Sequence, residues 1–167
     1  KDEGRVPLAP LVQAHERGEG GEVMRDARVR VTSCLVPHPE VAPAFAYRFD
    51  TPDRSIVISG DTAKSDALVA LSQGADVLVH EAMYLPAVDR LVESIPNAAT
   101  LKKHLVDSHT SVEDAARVAQ AAGVKTLVLS HFVPTEGFDT TEEMWAAPAR
   151  AHFSGRVIVG RDLLEIR

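Results

Sequence analysis

His38, Asp61, the pair His80-Glu81 and His131 each follow closely on a short apolar run. The runs are residues 29–36, 55–59, 76–79 and 126–129, rich in Val, Ile and Leu, and they read as buried strands. In open α/β sheets, ligands gather at the carboxyl ends of strands. Imidazole and carboxylate are the side chains that hold zinc and related divalent ions. Two such ions roughly 3.5–4 Å apart can share a carboxylate and suit hydrolysis. Taken singly, each residue has a plainer account. Asp61 would serve as a turn or helix cap, His131 as a packed ring, and His38, between Pro37 and Pro39, has no special standing. Their shared placement is what points to a metal site.

The elements that must position them follow from periodicity and punctuation. Residues 1–27 hold Pro7, Pro10 and the cluster Gly18-Glu19-Gly20-Gly21, and read as an irregular lead-in. A strand over 44–49, the turn Thr51-Pro52-Asp53-Arg54 and the strand 55–59 form a hairpin. A helix over 65–72, capped by Thr62 or Ser65, stops at Gly74. Residues 82–108 are expected to make two short helices around Pro96-Asn97, lying over the strand ends as a substrate lid. Ser111 opens a helix with Val112, Ala115, Ala116, Ala119 and Ala122 on one face, closed by Gly123. A loop through Gly137 follows, then a helix over 140–153 interrupted by Pro148, then a closing hairpin of 157–160 and 163–166 around Arg161-Asp162.

At 167 residues the chain is one domain by length, with 45% hydrophobic and 25% charged residues. A formal charge of −6 without a basic cluster argues against a surface that grips nucleic acid. No apolar run approaches the roughly 20 residues of a membrane helix. Cys34, the single cysteine, excludes an internal disulfide and reads as a small core residue. Strand alternation turns His80 toward the core and Glu81 the other way. Met83, Tyr84 and Trp145 read as packing, and His15, His104 and His152 as solvated. The compartment stays open, the cytoplasm being slightly favoured.

Several motifs in order match one family. His38 with Phe45-Ala46-Tyr47-Arg48-Phe49, Ser59-Gly60-Asp61-Thr62, Val79-His80-Glu81-Ala82-Met83, Ser108-His109-Thr110-Ser111 and Leu129-Ser130-His131 resemble the metallo-β-lactamase superfamily, in particular its ribonuclease Z and arylsulfatase branch. That resemblance implies that His38 binds the first zinc, Asp61 bridges both and His131 binds the second. It implies further that Glu81 and His109 form an acid dyad, the carboxylate orienting the imidazole over the leaving group. The family's His-x-His-x-Asp-His motif is not in this chain and is expected upstream. The chain is therefore expected to be inactive alone.

The expected fold is α/β, the carboxyl-terminal half of an αββα sandwich with a mixed sheet and outer helices, residues 28–167 forming that half. The expected protein is a dinuclear zinc hydrolase using Asp61, Glu81 and His109 catalytically and His38, Asp61 and His131 as metal ligands. The short hairpin and the absence of the Ser and Arg-Tyr that tRNA-processing members carry after the last ligand resemble the arylsulfatase-like group. That favours a small-molecule ester of sulfate as substrate over nucleic acid, with no membrane partner and with a homodimer left open. The alternatives are a ribonuclease Z-like phosphodiesterase and a non-catalytic binding module on the same fold.

Overall fold

The computed structural model describes residues 9–39, 41–96, 98–134 and 140–166. Its centre is one mixed sheet of seven strands in sequence order. Strands β1 (Gly21–Arg25), β2 (Arg30–Val36), β3 (Ala44–Asp50) and β4 (Ser55–Ile58) form an antiparallel meander. Strands β5 (Val77–Met83), β6 (Thr126–Val133) and β7 (Arg156–Val159) continue it in parallel from β4. The change of direction follows from the connections. Tight turns can reverse a strand, whereas parallel neighbours need a crossover, and helices supply it.

The turns are built from side chains that bond their own backbone. Asp26 Oδ1 accepts from the amides of Arg28 and Val29 at 2.7 and 2.9 Å, folding β1 onto β2. Thr51 Oγ1 accepts from the Arg54 amide at 3.2 Å in the β3–β4 turn. Helix α1 (Asp66–Ser72) is capped by Ser65, whose hydroxyl accepts from the Leu68 amide, so Ser65 and not Thr62 is the cap. Helices α2 (Leu85–Ser94) and α3 (Ala99–Ser108) form the expected pair around Pro96. Helix α4 (Val112–Ala122) starts at Ser111, which accepts from the Asp114 amide, and ends on Gly123 at φ 64°. Helix α5 (Glu142–Arg150) carries Pro148 inside it.

α1, α4 and α5 cover one face of the sheet. Ala115, Ala116 and Ala119 of α4 are fully buried there against Val57, Leu78, Leu127 and Leu129. Rows on the opposite face are also apolar: Tyr47, Ile58, Val79 and Val128 stand in register, and Leu35 opposite Phe45. Leu35 and Ile58 there are 45% and 44% exposed. Among the described residues no helix is long and apolar enough to cross a membrane.

Several expectations need correction. The irregular lead-in over 1–27 contains β1, whose pattern of exposed side chains gave no alternation to read because it is an edge strand held by its ladder to β2. Residues 1–8 lie outside the described residues, as do Asn97 and Gly137. The strand expected at 76–79 runs on to Met83, and six of its seven residues are buried, His80 and Glu81 included. The strand expected at 126–129 runs on to Val133. The closing hairpin is absent among the described residues. β7 pairs in parallel with β6, and residues 163–166 form no strand, because Leu163 sits at φ 62° and the Leu164 amide folds back onto the Arg161 carbonyl at 3.1 Å.

Candidate active site

Glu81 is 2% exposed, and its carboxylate is held by donors from three other positions. Its Oε1 accepts from the Thr62 amide at 3.0 Å, the Thr110 amide at 3.1 Å and His109 Nδ1 at 3.2 Å. The Glu81 amide donates to Ser59 Oγ at 3.1 Å. A buried charge survives only when paired and hydrogen-bonded, and this cradle meets that requirement at Oε1. The two loops that supply it are tied together, since Thr110 Oγ1 donates to the Thr62 carbonyl at 2.6 Å. The second loop is tied to β5 as well, through the Met83 amide and the Thr110 carbonyl at 2.8 Å.

The hydrogen bond that His109 Nδ1 donates to Glu81 raises the pKa of His109 above the ordinary imidazole value, against the opposing effect of burial. With Nδ1 spent on Glu81, Nε2 is the nitrogen left for other work. The His109 ring stacks on His131, centroids 5.6 Å apart at 21°, and meets His38 edge-on at 5.9 Å.

His131 reaches this cluster through a bulge. Glu81 pairs with Ser130 and Ala82 with Phe132, so His131 is the extra residue of β6 and takes a left-handed φ of 43°. A bulge re-aims a side chain, and here it leaves the imidazole half-exposed at the end of the sheet. Backbone strain in a bulky residue is a mark of functional positions. His131 Nε2 lies 3.5 Å from Asp61 Oδ2. Asp61 follows Gly60, which stands at φ 62° so close to β3 that a Cβ would lie 2.7 Å from the Phe45 carbonyl oxygen. Asp61 and His38 line a cavity of about 200 Å³ with Val41, Ala44 and Phe45. His38 Nδ1 is buried and has no partner among the described residues.

His38, Asp61, Glu81, His109 and His131 thus converge at one end of the sheet. His80 does not join them. It is fully buried on the far side of β5, its Nδ1 2.7 Å from the Glu81 carbonyl oxygen, and burial lowers its pKa. His152, expected to be solvated, is half-buried with Nε2 3.0 Å from Arg117 Nη2. Met83 and Trp145 are packed, at 2% and 4% exposure, as expected. Sequence reasoning missed the cradle of Ser59, Thr62 and Thr110. Thr62 and Thr110 are 48 residues apart, and no local pattern links them.

The donors of Glu81, His109 and His131 all lie within 4.8 Å of one another, a spacing a metal ion could use. Glu81 Oε1 already accepts three N–H donors, one of them from His109 Nδ1, which leaves Glu81 Oε2, buried without a partner among the described residues, and His109 Nε2 as their uncommitted atoms. Asp61 Oδ2 and His131 Nε2 carry no such commitment. Their 3.5 Å separation suits two atoms on one divalent ion, with bonds of about 2.0–2.2 Å each. The donor set of imidazole and carboxylate fits a metal of that class.

Seven strands, outer helices and this cluster at their ends define a metallo-β-lactamase-type fold. Residues 2–132 match a family profile described as a beta-lactamase superfamily domain, and the chain belongs to that superfamily. It is 38% identical over 154 residues to ribonuclease Z of Mycobacterium tuberculosis, covering 92% of this chain and 54% of that relative. It is 36% identical over 158 residues to the ribonuclease Z of Mycobacterium avium. The chain spans about half the length of these relatives. Among solved structures, YhfI of Bacillus subtilis aligns with a TM-score of 0.62 at 20% identity, over 84% of this chain and 49% of that one. The short form of human tRNase Z aligns with a TM-score of 0.58 at 23% identity, over 90% and 46%. Both share the fold.

The expectation of a small-molecule ester substrate, with nucleic acid set aside, is overturned by relatives named for cutting RNA. It rested on net charge, on the short hairpin and on the missing Ser and Arg-Tyr after His131, and charge summed over a length equal to 54% of a relative does not describe a whole surface. The arylsulfatase-like preference gains no support from these relatives either. It rested on the short hairpin and on the resemblance of residues 46–50 and 160–166 to that group.

Proposed function

We propose that this chain supplies the Asp61, Glu81, His109 and His131 portion of the active site of a metal-dependent RNA phosphodiesterase of the ribonuclease Z kind. The observation that carries the proposal is the placement of the Asp61–His131 pair, 3.5 Å apart, beside a buried Glu81–His109 pair at 3.2 Å. Asp61 and His131, with His38, would hold divalent metal, most naturally zinc, and the remaining ligands come from elsewhere in the protein. Such ions, when bound, supply Lewis-acid stabilisation of charge on a phosphoryl oxygen and activate water.

The chain's own residues do the rest. Glu81, locked by the Thr62 and Thr110 amides, fixes the tautomer and orientation of His109. His109 Nε2 then faces the departing oxygen of the phosphodiester as a proton donor, a role typically contributing 10²–10⁴ in rate. The test is to incubate the full-length protein with a precursor tRNA and, separately, with a nitrophenyl sulfate. Cleavage of the RNA that stops on chelation and returns with Zn²⁺ is the expected result. Sulfate hydrolysis without RNA cleavage would reverse it.

A further inference from the structure

β7 closes against β6 in a contact that excludes any side chain larger than hydrogen. The Gly160 amide donates to the Leu129 carbonyl at 2.8 Å, and a Cβ on Gly160 would lie 2.6 Å from the same oxygen. Arg161 is thereby set at the end of β7, next to the bulge that carries His131. A cavity of about 560 Å³ opens there on the sheet face away from the helices, with apolar Val79, Val128, Leu164 and Ile166 in its wall beside His131 and Arg161. A second, of about 270 Å³, shares Phe132, Gly160 and Arg161 and adds Trp145. Arg161 therefore stands on the ridge between two hollows, one of which reaches the metal-site residue His131.

The guanidinium of Arg161 has no hydrogen bond or ion pair among the described residues, Asp162 beside it included. Arg30, Arg48, Arg117 and Arg150 each pair with a carboxylate, whereas Arg161, like Arg28, Arg90 and Arg156, pairs with none among the described residues. A cation on the rim of the neighbouring site adds to its attraction for an anionic substrate at a position away from the metal ligands. Arginine suits the task because its charge is permanent and its planar fork matches two phosphate oxygens.

We infer that Arg161 binds a backbone phosphate of an RNA substrate next to the scissile one, on the His131 side of the site. The inference rests on the RNA phosphodiesterase reading above and adds a specific subsite to it.

Full-length wild-type protein, Arg161→Ala and Arg161→Lys would be compared with a precursor RNA at several salt concentrations. Losing one phosphate contact should lower the slope of log affinity against log salt by about 0.7–0.9. KM should rise about tenfold, the lower end of what a hydrogen bond to a charged group contributes, with kcat little changed. Lysine keeps the charge but loses the fork, so Arg161→Lys should keep the salt slope and recover part of the affinity. The thermal midpoint should stay put in both variants, because among the described residues the side chain holds nothing else in place. Unchanged KM and salt slope in Arg161→Ala, with wild type cleaving RNA, would overturn the subsite alone. A wild-type protein that neither binds nor cleaves RNA would overturn the functional reading and the subsite with it.

Discussion

The hydroxyl of Thr110 donates to the carbonyl of Thr62 at 2.6 Å, and this one bond joins the loop after β4 to the loop before α4. Both residues are fully buried or nearly so, at 1% and 0% exposure. Thr110→Val keeps the shape and removes the donor, leaving the Thr62 carbonyl unsatisfied. The expected cost is about 1–3 kcal/mol of folding stability, read from urea denaturation. Unchanged stability would mean that water or a neighbour replaces the bond.

Glu81 and His109 act as a pair in the proposed chemistry, although 28 residues separate them. His109→Ala should lower turnover by about 10²–10⁴ while metal content is unchanged. Glu81→Gln should cost part of that, since an amide still fills the space but no longer favours the charged imidazole. Metal analysis alongside the kinetics decides the matter. Loss of metal in His109→Ala would make His109 a ligand instead.

Asp61 and His131 are expected to behave in the opposite way. Asp61→Asn and His131→Asn should each lower bound metal in the full-length protein, measured by elemental analysis after dialysis. Asparagine is the better replacement at 131, because it tolerates the left-handed backbone at φ 43° that the bulge imposes. Full metal occupancy in both variants would remove the pair from the metal site.

Asp76 provides a pH test away from the site. Its Oδ1 receives the Lys125 ammonium at 2.6 Å and its Oδ2 the Ser55 amide at 2.7 Å, joining β4 to the start of β6. These contacts, the Lys125 hydrogen bond foremost, lower its pKa from 3.8 to about 2. A depressed carboxyl pKa stabilises the fold above the ordinary aspartate value and loses that contribution as pH falls through the folded one. Asp76→Asn should therefore be less stable than wild type at neutral pH, and the gap should close between about pH 4 and pH 2. A gap independent of pH would show that the carboxylate's charge is not involved.

How much of this was legible in advance depends on the range of the interaction. The ends of β2 and β4 were visible because apolar runs stop there, and β2, β4 and β6 run in the same direction, which brings His38, Asp61 and His131 to one end of the sheet. Caps such as Ser111 and Gly123 were visible for the same local reason. β1 escaped because an edge strand with exposed side chains needs no apolar alternation, only a neighbour's backbone. The extension of β5 through His80 and Glu81 escaped because polar residues in a buried strand depend on partners from distant loops. The substrate class was misjudged because net charge is a property of a whole surface.

By itself the sequence determined which residues can do chemistry here and that a mixed α/β sheet carries them, since residue type and periodicity are local properties. Only the tertiary structure decided how they are aimed. The bulge that re-aims His131 arises from a register mismatch between β5 and β6. The cradle on Glu81 needs two amides that the chain separates by 48 residues, and Arg161 gains its place through the close approach of Gly160 to Leu129. Each of these depends on the distance between backbones remote in sequence, which packing sets and no short stretch of residues encodes.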